Sequence, residues 1–310
     1  MAVVLISGGT GLVGTNLTRH LIERNFQVII LTRSKNSVSG NPNISYCYWN
    51  VEKQILDSEV LKKADHIVHL AGAGVMDKSW STDYKKTIVE SRTKSAELII
   101  KKLKETDHHV KTFVSASAIG IYGPDARPLI RKEGFIESDL PSHDFLGETC
   151  VLWEAASEPV KLLDIRRVVL RQGIILANEG GAFKEFKSPL KFGVATIFGS
   201  GKQILSWIHI DDVCRMFCES IENDYVNGVY NAVAPEPVAQ KKFMTILGEK
   251  LKDKFFIPMH VPVFMLKLIL GKRSVEILKS ATVSDKKIKA TGFTFLYPSL
   301  EAALTELTKK

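Results

Sequence analysis

A chain of 310 residues is long enough for two domains, or for one large domain with an appended lobe, and too long for a tail or a lone binding module. Its 45% hydrophobic and 25% charged residues sit near globular averages, which excludes disorder as the main state. The net charge of +8 lies wholly in residues 241–310, where 14 Lys/Arg face 6 Asp/Glu, and these scattered bases lack the dense patch with interleaved aromatics expected of a nucleic-acid binder.

Val3-Val4-Leu5-Ile6 opens a buried strand with no basic segment or small-residue cleavage site before it, so no signal peptide is expected. Four cysteines are too few for a disulfide framework. Cys47 and Cys150 stand alone, and Cys214 and Cys218 lie one helical turn apart with no His or Cys pair at metal spacing. Reduced thiols, no metal and a cytoplasmic setting follow as expectations. A helix is predicted over 12–24 and a strand over 27–33. Further strands at 65–71, 111–116 and 165–170 alternate with helices at 82–104 and 144–157. This is the rhythm of a doubly wound α/β fold, a parallel sheet covered on both faces. After about residue 172 the pattern changes to short helices and glycine-rich connections (Gly180-Gly181, Gly193, Gly199, Gly201), with 228–233 reading as a strand able to rejoin the sheet. The predicted organisation is a Rossmann domain from 1–171 plus about 205–233, and a smaller α/β lobe from about 172–204 and 234–310. The longest apolar run, 261–270, contains Pro262 and Lys267 and is too short to span a bilayer, so no membrane partner is expected.

The first strand runs into Gly8-Gly9-Thr10-Gly11-Leu12-Val13-Gly14, and a helix follows at once. Glycines three apart let the chain turn tightly, let backbone approach a pyrophosphate and let helix and strand pack closely. The first N–H groups of the helix then face the anion. Two rival phosphate loops fail: Gly14 is followed by Thr15 rather than Lys, and Gly199-Ser200-Gly201-Lys202 has Thr rather than Gly at 196. About 20 residues past the glycines an NAD site places an acid on the ribose 2′-hydroxyl, yet no Asp or Glu occurs between Glu23 and Glu52. The second strand ends instead at Thr32-Arg33-Ser34-Lys35, where a guanidinium can hold a 2′-phosphate. NADP is therefore the expected cofactor.

These features, with His69-Leu70-Ala71-Gly72, Ser115-Ala116-Ser117 running to Ile121-Tyr122-Gly123, and Trp207-Ile208-His209-Ile210-Asp211-Asp212, resemble the extended short-chain dehydrogenase/reductase superfamily. Leu70-Ala71-Gly72-Ala73-Gly74, Ser91-Arg92, Phe145 to Cys150 with Trp153-Glu154, and Gly199-Ser200-Gly201 with Ser206 to His209 narrow the resemblance to its atypical NADP-binding epimerase-family group of sugar-nucleotide epimerase-like, SulA-like proteins. The resemblance spans nearly the whole chain. It implies that Thr10, Gly11, Leu12 and Val13 meet the pyrophosphate, with Gly8 and Gly14 in the same cofactor-binding loop, that Thr32 and Arg33 meet the adenosine ribose phosphate, and that Ala71-Gly72 meets the ribose or adenine side. Arg92, Ser115 and Ile174 join the cofactor set, Ile174 toward the nicotinamide. Asp211-Asp212 is expected to cap the helix that follows.

The superfamily's usual catalytic pair is a Tyr with Lys four residues later, the ammonium lowering the phenol pKa. No tyrosine of this chain has a lysine four residues on, and Phe145 and Thr149 stand at the expected site. Ser117 is placed where the superfamily keeps a hydroxyl on the substrate carbonyl. Tyr122, Glu148 and His143 are the titratable groups that the same strand end and helix can bring near it. Two functions stay open: an NADP-dependent oxidoreductase or epimerase-like enzyme acting on a small substrate, anionic if the basic C-terminal segment closes over it, or an NADP-binding sensor or interaction protein without chemistry. Self-association is compatible with both.

Overall fold

The strands form where β-branched and apolar residues run without interruption, because strands covered on both faces have no polar side to alternate. In this computed structural model, which describes residues 1–125, 132, 134–253 and 255–309, the chain begins β1 (Val3–Ser7), α1 (Leu12–Glu23), β2 (Gln27–Thr32), β3 (Ile44–Asn50), β4 (Ile55–Leu56), α2 (Ser58–Lys63), β5 (His66–His69), α3 (Thr82–Lys104), β6 (Thr112–Ala118), α4 (Phe145–Ser157) and β7 (Arg166–Gln172). It continues with β8 (Ile174–Leu176), α5 (Gly181–Leu190), β9 (Val194–Phe198), β10 (Ile204–Leu205), β11 (Trp207–His209), α6 (Ile210–Glu222), β12 (Gly228–Ala232), β13 (Val238–Ala239), α7 (Gln240–Lys252), β14 (Ile257–Val261), α8 (Val263–Leu270), α9 (Ser274–Leu278), α10 (Lys286–Lys289) and α11 (Leu300–Leu307).

Eight strands form one sheet in the order β12-β7-β6-β5-β1-β2-β3-β4. All neighbours are parallel except β3 and β4. The chain runs outward from β1 through β2 and β3, then returns to β5 on the other side. The switch point, where open sheets of this kind bind ligands, therefore lies at the carboxyl ends of β1 and β5, at Ser7 and His69. The doubly wound α/β expectation holds, and 228–233 does rejoin the sheet, as β12 beside β7. The sequence reading had no strand at β3, which starts after Asn41-Pro42-Asn43 and is only partly covered.

One apolar core lies between the sheet and α1 and α6, including Ile6, Leu17, Val28, Val114, Val213 and Phe217. A second packs α2 and α3 on the opposite face through Leu5, Leu61, Ile67, Leu98, Ile99 and Phe113. A third, apart from the main sheet, joins Phe183, Phe186, Trp207, Phe243, Leu247, Leu300 and Leu304, and belongs to the smaller C-terminal α/β lobe. The parallel pair β9–β14 belongs to that lobe, and the parallel pair β8–β11 joins residues 174–176 to residues 207–209, a segment expected in the Rossmann domain. Among the described residues no helix is long and apolar enough to cross a membrane. All four cysteines are unpaired, and burial pushes the thiols of Cys150 and Cys218 up to about 12.

Candidate functional site

The glycine loop is built by close approach. Gly8 has φ +74°, and a Cβ there would lie 2.7 Å from the Leu70 carbonyl carbon, so the ends of β1 and β5 can touch only through a glycine. A Cβ on Gly14 would lie 2.4 Å from the Gly8 carbonyl oxygen, whereas one on Gly11 would meet that oxygen at 3.3 Å. Gly14 thus closes helix on strand, and Gly11 guards the open side, where it and Thr10 are exposed. Gly11 N–H donates to Gly8 C=O at 3.0 Å. Helix α1 starts at Gly11 with no side-chain cap and no acid in its first turn, unlike α2, α3 and α4, which are capped by Asp57, Ser81 and Asp144. Uncapped N–H groups of Leu12, Val13 and Gly14 at the switch point suit an anion. Leu12 in turn packs near Gly180 and Gly181, where added Cβ atoms would come within 3.9 and 3.2 Å of its side chain. The first loop of the smaller lobe therefore lies against the glycine loop.

At the end of β2, Thr32 is buried, its hydroxyl accepting from Ser34 N–H at 3.1 Å, and Arg33 is exposed beside it. Beyond β5, Ala71 is half-buried and Gly72 exposed. A Cβ on Gly72 would lie 3.0 Å from the Arg92 Cζ, so the guanidinium on α3 reaches this strand end because glycine leaves it room. Arg92 donates to the Ile88 carbonyl at 2.8 Å and stacks 4.8 Å above the Trp153 ring. Burial lowers its pKa, the mark of a cation held out of water. His69, fully buried, holds this corner together: Nδ1 shares a hydrogen bond of 2.6 Å with the Ser7 hydroxyl, and Nε2 lies 3.2 Å from the Arg92 carbonyl. Burial drives the His69 pKa down to about 4, so the imidazole is neutral near pH 7. The loop beyond is tied to α3 by Ser91, which accepts from Ala73 N–H, and by Tyr84, which donates to Gly74 C=O, and it is closed on itself by Trp80, which donates to Val75 C=O.

Of the candidate proton-transfer residues, Ser117 and Tyr122 are brought into one buried network, whereas Glu148 and His143 stay at the surface. Ser117 at the end of β6 is 1% exposed and donates to Glu154 Oε1 at 2.7 Å. Glu154 also accepts from Arg171 Nε at 2.8 Å and Nη2 at 2.9 Å. Burial opposes the charge on Arg171, but these bonds outweigh it and hold its pKa above the ordinary value. Arg171 Nη1 donates to the Tyr122 hydroxyl at 2.8 Å, and that hydroxyl donates to Asn231 Oδ1 at 2.7 Å. Tyr122 is 0% exposed and burial pushes its pKa up to about 12, so it presents neither surface nor proton to a ligand near neutrality. Glu148 and His143 are exposed around the start of α4. Ser115 is buried, its hydroxyl donating to the Ala116 carbonyl, and Ile174 hydrogen-bonds through its N–H to the Ser206 carbonyl at 2.9 Å. Phe145 packs edge-on against Trp80, with ring centroids 5.1 Å apart, and the Thr149 hydroxyl donates back to the Phe145 carbonyl.

Two features went unread in the sequence. The Glu154–Arg171 pair was signalled by three arginines in the buried strand RRVVLRQ, since inward-facing charges need partners. The helix after β11 is capped by His209, whose Nδ1 accepts from Asp211 N–H at 3.1 Å, and not by Asp211-Asp212. Asp212, fully buried, instead accepts from Leu296 and Tyr297 N–H, and Asp211 from Arg19.

A parallel sheet in this order, a glycine loop at its switch point and a smaller lobe lying against that loop define an NAD(P)-binding Rossmann protein of the extended short-chain dehydrogenase/reductase type. Residues 4–144 match the NAD dependent epimerase/dehydratase family, and residues 261–307 match a domain of unknown function, DUF1731. An epimerase family protein of Staphylococcus saprophyticus is 35% identical over 308 residues, 98% of each chain. The chain belongs to this epimerase family. Human epimerase family protein SDR39U1 (isoform 2), whose crystal structure was solved with NADPH, superposes with a TM-score of 0.84 at 27% identity over 99% of both chains. A nucleoside-diphosphate sugar epimerase from Corynebacterium glutamicum gives 0.77 at 28% identity over 99% of this chain and 58% of its own.

Proposed function

We propose that this chain binds NADP(H) and acts as an oxidoreductase or epimerase-like enzyme on a small anionic substrate. The observation that carries the cofactor choice is the end of β2: an exposed Arg33 beside Thr32, with no carboxylate from residue 24 to 51 to repel a 2′-phosphate or to take a ribose 2′-hydroxyl. The uncapped start of α1 and the glycine cradle fit the pyrophosphate, and the human relative's NADPH complex supports the same choice. In this reading Gly8, Gly11 and Gly14 clear the path, the N–H groups of Leu12 and Val13 bind phosphate oxygens, Arg33 holds the 2′-phosphate, and Arg92 faces the nucleotide across Gly72. Ala71 flanks the ribose, and Ile174 lines the nicotinamide side. When bound, the nicotinamide supplies or accepts a hydride. The protein's part is to orient the substrate and exclude water.

A second reading, an NADP-binding sensor or interaction protein without turnover, is favoured by one specific arrangement. Phe145 and Thr149 carry no exchangeable charge, and the Ser117 hydroxyl is already committed to Glu154. The test has two arms. Arg33→Asp should weaken NADP⁺ binding by about 2 kcal/mol or more, roughly 30-fold, with little effect on NAD⁺; equal losses refute the 2′-phosphate assignment. Carboxylated and phosphorylated carbonyl and hydroxy compounds, followed both by the ultraviolet absorbance of bound NADP(H) and by NMR of their configuration, then separate the two readings: net oxidation or reduction identifies an oxidoreductase, inversion without net redox change an epimerase, and neither across the panel favours the sensor.

A further inference from the structure

The mouth between α3, α4 and the smaller lobe carries a cation with an unusual setting. On α3, Lys94 pairs with Glu90 at 2.8 Å and Lys102 with Glu105 at 2.9 Å, the ordinary arrangement of a solvated helix face. Lys85 has no carboxylate at ion-pair distance among the described residues. Its ammonium lies 4.6 Å from the Phe145 ring centroid and 5.8 Å from that of Trp80. Those two rings form an edge-to-face wall with an interplanar angle of 67°. A cation above aromatic rings is held in place but not neutralised, the ring attraction being worth only about 0.5–1 kcal/mol at a partly exposed site.

The smaller lobe adds charge to the same place. Arg273 donates to the Met76 carbonyl at 2.7 Å and to the Leu270 carbonyl, and among the described residues no carboxylate lies at ion-pair distance from it. Lys279, by contrast, is neutralised, by Asp144 at 3.1 Å and Glu276 at 3.8 Å. Lys78, in the loop that leads into α3, lies 5.8 Å from the ring centroid of Tyr84, the residue before Lys85. Asp77 lies against Gly74 and close enough to Tyr84 for its charge to raise that phenol's pKa, and Asp83 is exposed in the first turn of α3; neither carboxylate is at ion-pair distance from Lys85. A fixed positive field against an apolar wall attracts an anion more strongly than the same charges in open water.

We propose that Lys85, seated on Phe145 and Trp80, is the anchor for the anionic group of the substrate, a carboxylate or a phosphate whose carbon skeleton lies along the aromatic wall. The proposal rests on the reading of this mouth as the substrate side. It makes Phe145 a specificity-determining residue, exchanging a proton donor for a seat that orients a cation.

The chain provides its own reporter. Of its four tryptophans, Trp49, Trp153 and Trp207 are buried and only Trp80 is partly exposed. Quenching of tryptophan fluorescence is measured in protein saturated with NADP⁺, at constant ionic strength, with anionic iodide, cationic caesium and neutral acrylamide. With each constant taken relative to that for free N-acetyltryptophanamide, iodide should quench several-fold more effectively than caesium. Lys85→Met should reduce the iodide constant at least two-fold while leaving acrylamide unchanged, Lys85→Arg should restore it, and Trp80→Phe should remove the iodide-accessible fraction. Acetate and inorganic phosphate, each at tens of millimolar against chloride, are the competing probes: the one that protects Trp80 from iodide identifies the group. Equal quenching by iodide and caesium, no effect of Lys85→Met, or no competition by either anion overturns the proposal. NADP⁺ saturation is followed separately, so a failure of cofactor binding and a failure of the anion seat are read on different signals.

Discussion

Removing the carboxylate of Glu154 should be among the most damaging single changes in the cofactor domain. Its side chain is 12% exposed and that of Arg171 8%, and the carboxylate accepts three hydrogen bonds, from Ser117 Oγ, Arg171 Nε and Arg171 Nη2. In Glu154→Leu the guanidinium keeps only neutral acceptors, the Tyr122 hydroxyl and the Glu137 carbonyl. Breaking a buried pair from one side costs about 3–5 kcal/mol, because the remaining charge stays buried without its partner. Against a typical total stability of about 5–15 kcal/mol that is a large share. Urea unfolding followed by circular dichroism should show a lower midpoint with an unchanged slope. A double-mutant cycle with Arg171→Met should return a coupling of about 2 kcal/mol or more. A loss under about 1 kcal/mol, or no coupling, would refute the claim that this pair fastens α4 to β7. Ser117→Ala, in the same assay, should cost about 1 kcal/mol and leave NADP(H) affinity unchanged, since its hydroxyl serves the pair.

The glycine loop predicts a separation between folding and binding. Gly14→Ala forces a Cβ to 2.4 Å from the Gly8 oxygen and should destabilise by at least about 2 kcal/mol, whereas Gly11→Ala meets that oxygen at 3.3 Å and should fold nearly as well while losing cofactor affinity. Thermal melts with and without NADP⁺ check both halves. His69 predicts a pH dependence. Its folded pKa of about 4 lies below the unfolded value of about 6.5, so as pH falls the unfolded chain takes up the proton first. The stability present above about 6.5 is lost progressively toward about 4, with about 2 kcal/mol gone by pH 5. His69→Gln should lack that part of the slope in urea unfolding between pH 7.5 and 5; parallel profiles of the two proteins would sink the assignment.

Much of the nucleotide side was legible because it depends on local backbone. Gly8, Gly11 and Gly14 mark a strand-to-helix turn within seven residues, and the absence of acids after β2 is visible in the linear sequence. The long helix α3 and the strand order's alternation follow from periodicity alone. The edge strand β3 escaped because its faces are unequally covered, which leaves neither a clean alternation nor a continuous apolar run.

What the sequence determined by itself is the doubly wound fold, the glycine loop between β1 and α1, and the absence of a Tyr/Lys pair, with Phe145 and Thr149 at the place expected for it. What only the tertiary structure decided is the use of the remaining polar groups. Ser117 and Glu154 are separated by 37 residues and Tyr122 and Asn231 by 109, and sequence cannot show whether such side chains face a ligand or each other. The physical reason is burial: a polar group taken out of water must find a partner, and in the folded chain Ser117 and Tyr122 have found theirs among Glu154, Arg171 and Asn231. Lys85, the cation that the fold seats on Phe145 and Trp80, has no carboxylate at ion-pair distance among the described residues.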